Sequence, residues 1–253
     1  MSLIVAAAAA AAAAIAVGVT LATRQSPAPR KSRPGKPTPV LVLPSSAAGA
    51  IRAAFTRWPK GSLDAMQELA RRRPRDPVVL YNLGVALYWA GYSDDAVAAF
   101  RATKRVGPDT PYAIQADTLL HPSFFQGAPV FQQLRPDPEL RRGILLQLRG
   151  RRLSAERLYA AAARARPGDD EAQVAAAVAL FDKDRLGRSF GRLGPLTRRF
   201  PHSQSVRFHL GLLLAWTGQR DAAKAQFERA RALGPRTVLG REANTFLLRL
   251  VTR

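Results

Sequence analysis

From about Ser45 to the carboxyl end, apolar residues recur with the spacing of one helix face rather than the alternation of a strand. Ile51, Phe55, Trp58, Met66 and Leu69 follow it, as do Leu80, Leu83 and Leu87, then Ala96 and Phe100, then Leu210 and Leu214, then Ala223, Phe227 and Ala230. Proline interrupts these stretches at one phase. Pro74 and Pro108 lie 34 residues apart, and the same interval separates Pro167 from Pro201 and Pro201 from Pro235. A repeat of that length predicts stacked helical pairs, each leaving an apolar face that only its neighbour covers.

Residues 77–110 place Leu80, Leu83, Gly84 and Leu87 in a first helix, and Ala96, Phe100 and Pro108 in and after a second. Residues 204–237 repeat this with Leu210, Gly211, Leu214, Ala223, Phe227, Ala230 and Pro235. The pattern closely resembles the tetratricopeptide repeat, with Leu80 and Leu87 where Trp and Tyr are commonest and Thr103 where a second small residue is usual. Its physical basis is packing: Gly84 and Gly211 allow close approach of the second helix, Phe100 and Phe227 fill volume, and the prolines stop the chain. The resemblance implies an all-α, TPR-like helical-hairpin solenoid.

Further units run in phase over 43–76, 136–169 and 170–203, the last with its second helix expected short or kinked near Pro195. Between 111 and 135 the phase is lost. A helix over 111–120 is expected to end at His121-Pro122, and a loop with Phe124, Phe125 and Phe131 stands in place of a second helix, its rings plugging the solenoid core. A last amphipathic helix over 239–251 is expected to cap the open end.

Residues 2–23, with nine consecutive alanines, carry no charge and would span roughly 33 Å as a helix, the length of one membrane crossing. A cleaved secretory signal is the rival reading, but no Lys or Arg precedes the apolar run. The expected organisation is therefore a transmembrane helix over 1–23, a basic Pro-rich linker over 24–44 and a solenoid over 45–253. Arg24, Arg30, Lys31, Arg33 and Lys36 follow the apolar run with no acidic residue among them, so the positive-inside rule puts the repeats on the cytoplasmic side. The six prolines of the linker predict an extended, semi-rigid tether whose cations can also lie against anionic headgroups.

The net charge of +21 narrows the partner class. Acidic peptides, anionic lipid or nucleic acid would all be steered to such a surface. Nucleic acid ranks last, because no helix-turn-helix, zinc or aromatic-platform signature accompanies the charge. The chain has no cysteine, which excludes disulfides, thiolate metal sites and thiol nucleophiles.

In the family that the repeats resemble, first helices line a concave, partner-binding surface. Carried over to this sequence, that surface includes Tyr81, Asn82, Val85, Tyr88 and Trp89 from one unit, and Phe208, His209, Leu212 and Trp216 from another, with Arg141 between them. Exposed aromatic rings of this kind anchor interfaces, whereas burial under other parts of the chain would make them core. A carboxylate clamp is unsupported, since Tyr81 and Val85 stand where Lys and Asn would be needed.

No site for chemistry emerges. His121, His202 and His209 show no metal-pair spacing and no carboxylate at ligand spacing, and no phosphate loop, nucleophile elbow or paired-carboxylate arrangement is present. No metal and no cofactor are expected. The sequence reads as a non-enzymatic, membrane-tethered scaffold or adaptor that holds a protein or acidic peptide. The alternatives are a secreted or periplasmic module released by signal cleavage, and a basic binder of anionic lipid or nucleic acid.

Overall fold

The computed structural model describes residues 32–251. The charge-free segment 2–23 lies outside the described residues, as does the first part of the linker; among the described residues no helix is long and apolar enough to cross a membrane.

Thirteen helices and no strand make up the described residues. In order they are α1 (Ala48–Thr56), α2 (Ser62–Arg72), α3 (Pro77–Ala90), α4 (Ser93–Val106), α5 (Pro111–Leu120), α6 (Pro138–Leu148), α7 (Arg152–Ala165), α8 (Asp170–Ala179), α9 (Gly187–Leu193), α10 (Leu196–Arg199), α11 (Gln204–Trp216), α12 (Arg220–Leu233) and α13 (Val238–Val251). The arrangement is consistent with a TPR-like solenoid. Successive helices pair antiparallel, α3 with α4, α6 with α7 and α11 with α12, and α13 covers α12 at the end. Pro74, Pro108, Pro167, Pro201 and Pro235 each follow the end of a helix.

Local chemistry explains the boundaries. Asp76, Asp137, Asp169 and Ser203 each turn a side-chain oxygen onto free backbone N–H groups of the next helix, and Pro77 and Pro138 follow their caps at the first helical position. Gly91 closes α3 in the left-handed conformation, with φ 92°, where a side chain would be strained. Within each pair the small residue of the first helix receives a ring from the second. A methyl group at Gly84 would stand 2.6 Å from Phe100, one at Gly211 3.0 Å from Phe227, and one at Gly143 would collide with Tyr159. The expected break near Pro195 is present, dividing α9 from α10.

The stack is interrupted once. α5 packs on α3 and α4, and α6 on α7, which separates the apolar core around Ile51, Phe55, Phe100 and Tyr112 from the one around Phe131, Tyr159 and Leu193; the latter meets a third core around Phe208 and Phe227 through Trp216. Polar contacts bridge the gap. Lys104 on α4 bonds to Asp117 on α5 and to Asp184 in the turn after α8. His121 Nε2 lies 2.8 Å from Asp184. Asp109 accepts from Arg151 at 3.4 Å and from the Ser154 hydroxyl at 2.6 Å, and Gly150, at φ 73°, rests directly on the backbone of Pro111.

Candidate partner-binding groove

Residues 33–42 are extended, as their prolines dictate, but they are docked on α3 instead of forming a free tether. Arg33 N–H donates to the Trp89 carbonyl at 3.0 Å, and its guanidinium lies 3.9 Å from the centre of the Tyr88 ring. Asn82 grips Val40 from both sides, its Oδ1 accepting from the Val40 N–H at 2.7 Å and its Nδ2 donating to the Val40 carbonyl at 2.9 Å. The Tyr112 hydroxyl accepts from Val42 N–H at 2.8 Å, and the Trp58 indole donates to the Gly35 carbonyl at 3.1 Å.

A second extended segment lies on α11. Phe125 N–H donates to the Trp216 carbonyl at 3.3 Å and its ring contacts the Trp216 ring. Gln132 N–H donates to His209 Nε2 at 2.9 Å, while His209 Nδ1 bonds to the Ser205 carbonyl at 2.8 Å. These partners require the neutral Nδ1–H tautomer. Burial pushes the His209 pKa down to about 4 even though the Ser205 carbonyl favours the charged form. Phe131 stacks on His209 and meets the Tyr159 ring edge-on. Glu171 then receives the N–H groups of Leu134 and Arg135; burial lifts its pKa against these two bonds.

These straps decide where the expected groove residues stand. Tyr81 and Asn82 are buried, Asn82 beneath the chain's own residue 40, and Val85 and Trp89 are half-buried. Phe208, His209 and Leu212 are buried as well, so the expectation that they face solvent does not hold: the 125–134 strap covers His209, and α13 brings the Phe246 ring within 6.1 Å of Phe208. Trp216 is half-buried between Phe125 and Phe246. Tyr88, at 37% exposure, and Arg141 are exposed, the former beneath the Arg33 guanidinium. The aromatic loop plugs the core through Phe131, but it does so along α11. Sequence reasoning missed Tyr112 and Glu171 as backbone-holding side chains, and no local spacing marks them.

The expectation that no histidine has carboxylates at ligand spacing is corrected at His121. Asp117, one turn before it on α5, and Asp184 bring one ligand atom each to within 4.8 Å of one another and of His121. A metal ion would find three donors here. The Lys104 ammonium already lies among them, however, and it neutralises the same carboxylates. Burial works against that ammonium, but its hydrogen bonds to Asp117 and Asp184 outweigh the cost and hold its pKa above the ordinary lysine value. The fully buried Lys183 side chain beside it is pushed down by burial, and its ammonium donates to the Phe125 carbonyl at 2.9 Å. Arg152 donates to the Phe181 carbonyl at 2.8 Å, completing a polar knot that ties α4 and α5 to the end of α8.

No protein-family model matches the chain, and no curated protein matches it. Among solved structures it is similar to MamA 41-end from Desulfovibrio magneticus RS-1, at 19% identity over 74% of this chain and 92% of that one, with a TM-score of 0.30. It is similar also to the MamA RS-1 ArsTM double mutant, at 19% identity over 74% of this chain and 91% of that one, again with a TM-score of 0.30. Likeness at this level carries no functional argument.

Proposed function

We propose that this protein is a tetratricopeptide-type scaffold, tethered to a membrane by its first 23 residues, which holds a protein partner on the face of its first helices. The observation that carries the reading is the grip of Asn82 on Val40: a buried side chain on that face binds an extended main chain through a donor and an acceptor at once. A surface built this way grips peptide backbone, and Tyr88 and Trp89 on the rim add the rings that anchor interfaces. The tether reading draws on the charge-free run and the basic residues after it, which also orient the repeats toward the cytoplasm. Catalysis has no part in the proposal.

The test is alkaline extraction of one membrane sample and, on a separate untreated sample, affinity purification after detergent solubilisation. The intact chain is expected to resist extraction and to retain a stoichiometric partner. Tyr88→Ala with Trp89→Ala is expected to lose the partner while keeping its helical content and thermal midpoint. Release of the chain by alkali overturns the tether, and retention of the partner by the double variant overturns the proposed face.

A further inference from the structure

The two straps obey one register. On α3, Arg33 N–H reaches the carbonyl of Trp89 and Val40 N–H reaches the side chain of Asn82; on α11, Phe125 N–H reaches the carbonyl of Trp216 and Gln132 N–H reaches the side chain of His209. Seven residues separate the two anchor points on each strap and on each helix, and Trp89 and Asn82 occupy the same repeat positions as Trp216 and His209. Both straps therefore run antiparallel to a first helix, from its carboxyl end toward its amino end. In both, the residue two beyond the next N–H anchor-to-side-chain contact is held in turn: Val42 N–H by the Tyr112 hydroxyl and Leu134 N–H by the Glu171 carboxylate.

Aligned in that register, residues 33–42 and 125–134 share two identities out of ten positions, and those two are informative. Gly35 and Gly127 are both left-handed, at φ 96° and 74°. Pro37 and Pro129 are both buried. Glycine supplies the turn that a side chain would strain, and proline two residues on fixes the extended path and gives up a donor that the surface does not use. The shared anchor bonds are all made to strap main chain, whereas the side-chain contacts differ between the two: Arg33 lies over Tyr88 on α3, while Phe125 meets Trp216 and Phe131 stacks on His209.

The straps differ in how firmly they are held. On α11, Phe131 is fully buried between His209 and Tyr159. On α3 only Pro37 is buried in residues 33–43, and Val42 and Leu43 are 50% and 41% exposed. Departure of the α3 strap would release Pro37 and the half-buried Val40 and Leu41 but no fully buried ring like Phe131, and water can satisfy Asn82 in its place.

We propose that the α3 face is a reader of extended Gly-x-Pro segments, and that its resident strap is exchanged for a segment of the same form carried by the partner. This names the ligand class of the scaffold proposed above and rests on that reading. Gly and Pro set the path, while the N–H groups three and five residues beyond Pro supply the bonds to Asn82 and Tyr112. The resident strap competes from the same chain, where a short connection gives it an effective concentration near millimolar.

The experiment uses the full chain in detergent and a fluorescent synthetic peptide matching residues 32–44. Gly35→Val, which puts a branched side chain at φ 96°, is expected to eject the resident strap while leaving α3 intact, and amide exchange at Val40 reports the ejection. The peptide is expected to bind the Gly35→Val chain at least about tenfold more tightly than the wild-type chain, and adding Asn82→Ala is expected to weaken it again by about tenfold, the worth of a paired hydrogen bond. A peptide carrying the Gly35→Val change is expected not to bind. Continued protection of Val40 in the Gly35→Val chain overturns the role of glycine. Failure of the peptide to bind an ejected chain, or indifference to Asn82→Ala, overturns the reader. Light scattering that shows wild-type chains pairing through exchanged straps makes the occupant a second copy and overturns the partner assignment. If the peptide fails while the membrane purification still yields a partner dependent on Tyr88 and Trp89, the motif falls and the scaffold stands.

Discussion

His209 offers the sharpest quantitative test of how the 125–134 strap is held. Its ring must be neutral to accept from Gln132 N–H while donating to the Ser205 carbonyl, and burial lowers its pKa from 6.5 to about 4. In the unfolded chain the same ring takes up a proton near its ordinary pKa, so between these two values the unfolded state binds more protons than the fold. The stabilisation is fully present above about pH 6.5, declines as the pH falls and is gone below about pH 4. At about 1.4 kcal/mol per pH unit, the whole contribution is roughly 3 kcal/mol. Asn82 fills the equivalent position on α3 with a side chain that does not titrate, which makes His209→Asn the natural control. Urea midpoints for both proteins, measured from pH 7.5 to pH 4, give a difference in which the carboxylates common to both cancel. His209→Asn loses the stack on Phe131 at every pH, lowering its curve by a constant amount. The gap should therefore narrow steadily below about pH 6.5. A gap of constant width across that range would refute a neutral, buried His209 as the clasp of this strap.

Three further outcomes follow from the packing. Methyl groups added at the first-helix glycines should destabilise in the order Gly143→Ala, Gly84→Ala, Gly211→Ala, by about 1–3 kcal/mol each, because the opposing ring is nearest at Gly143 and furthest at Gly211; thermal midpoints check the order. Lys104→Met leaves Asp117, Asp182 and Asp184 without their shared cation and should cost about 3–5 kcal/mol, read from urea denaturation, whereas adding Asp117→Leu should recover part of the loss. Asp76→Ala removes the acceptor for the Val78 and Val79 N–H groups and should lower stability by about 1 kcal/mol, with amide exchange rising first at the start of α3.

The helical pairs were legible because their signals are local and periodic: a proline after each second helix, an acid or serine before α3, α6, α8 and α11, and a glycine facing a ring in three of the pairs. Gly84 with Phe100 and Gly211 with Phe227 illustrate how little separation that requires. The interruption at 111–135 was visible as a lost phase, but its repair was not, since Lys104 and Asp184 stand 80 residues apart and each resembles an ordinary surface charge in its own segment. The groove was read from the resemblance alone, which carries no account of what else the chain lays on it. Phe208 and Leu212 therefore passed for surface. The straps escaped notice because extended segments have no period, and their shared Gly and Pro are two positions among ten. The one available clue was that the linker and the aperiodic loop both place Gly two residues before Pro, at Gly35 and Gly127.

The polar joint between α5 and α6 gives the rod an uneven compliance. Elsewhere neighbouring pairs meet through interdigitated apolar side chains, which resist sliding and whose cohesion changes little with ionic conditions. At the joint the load passes through the shielded Lys104–Asp117 pair and through the more exposed Asp109, Arg151 and Asp184, so salt loosens its outer pairs first. Tension applied between the first and last described helices would thus yield in two stages, with the joint parting before the apolar cores on its two sides unravel.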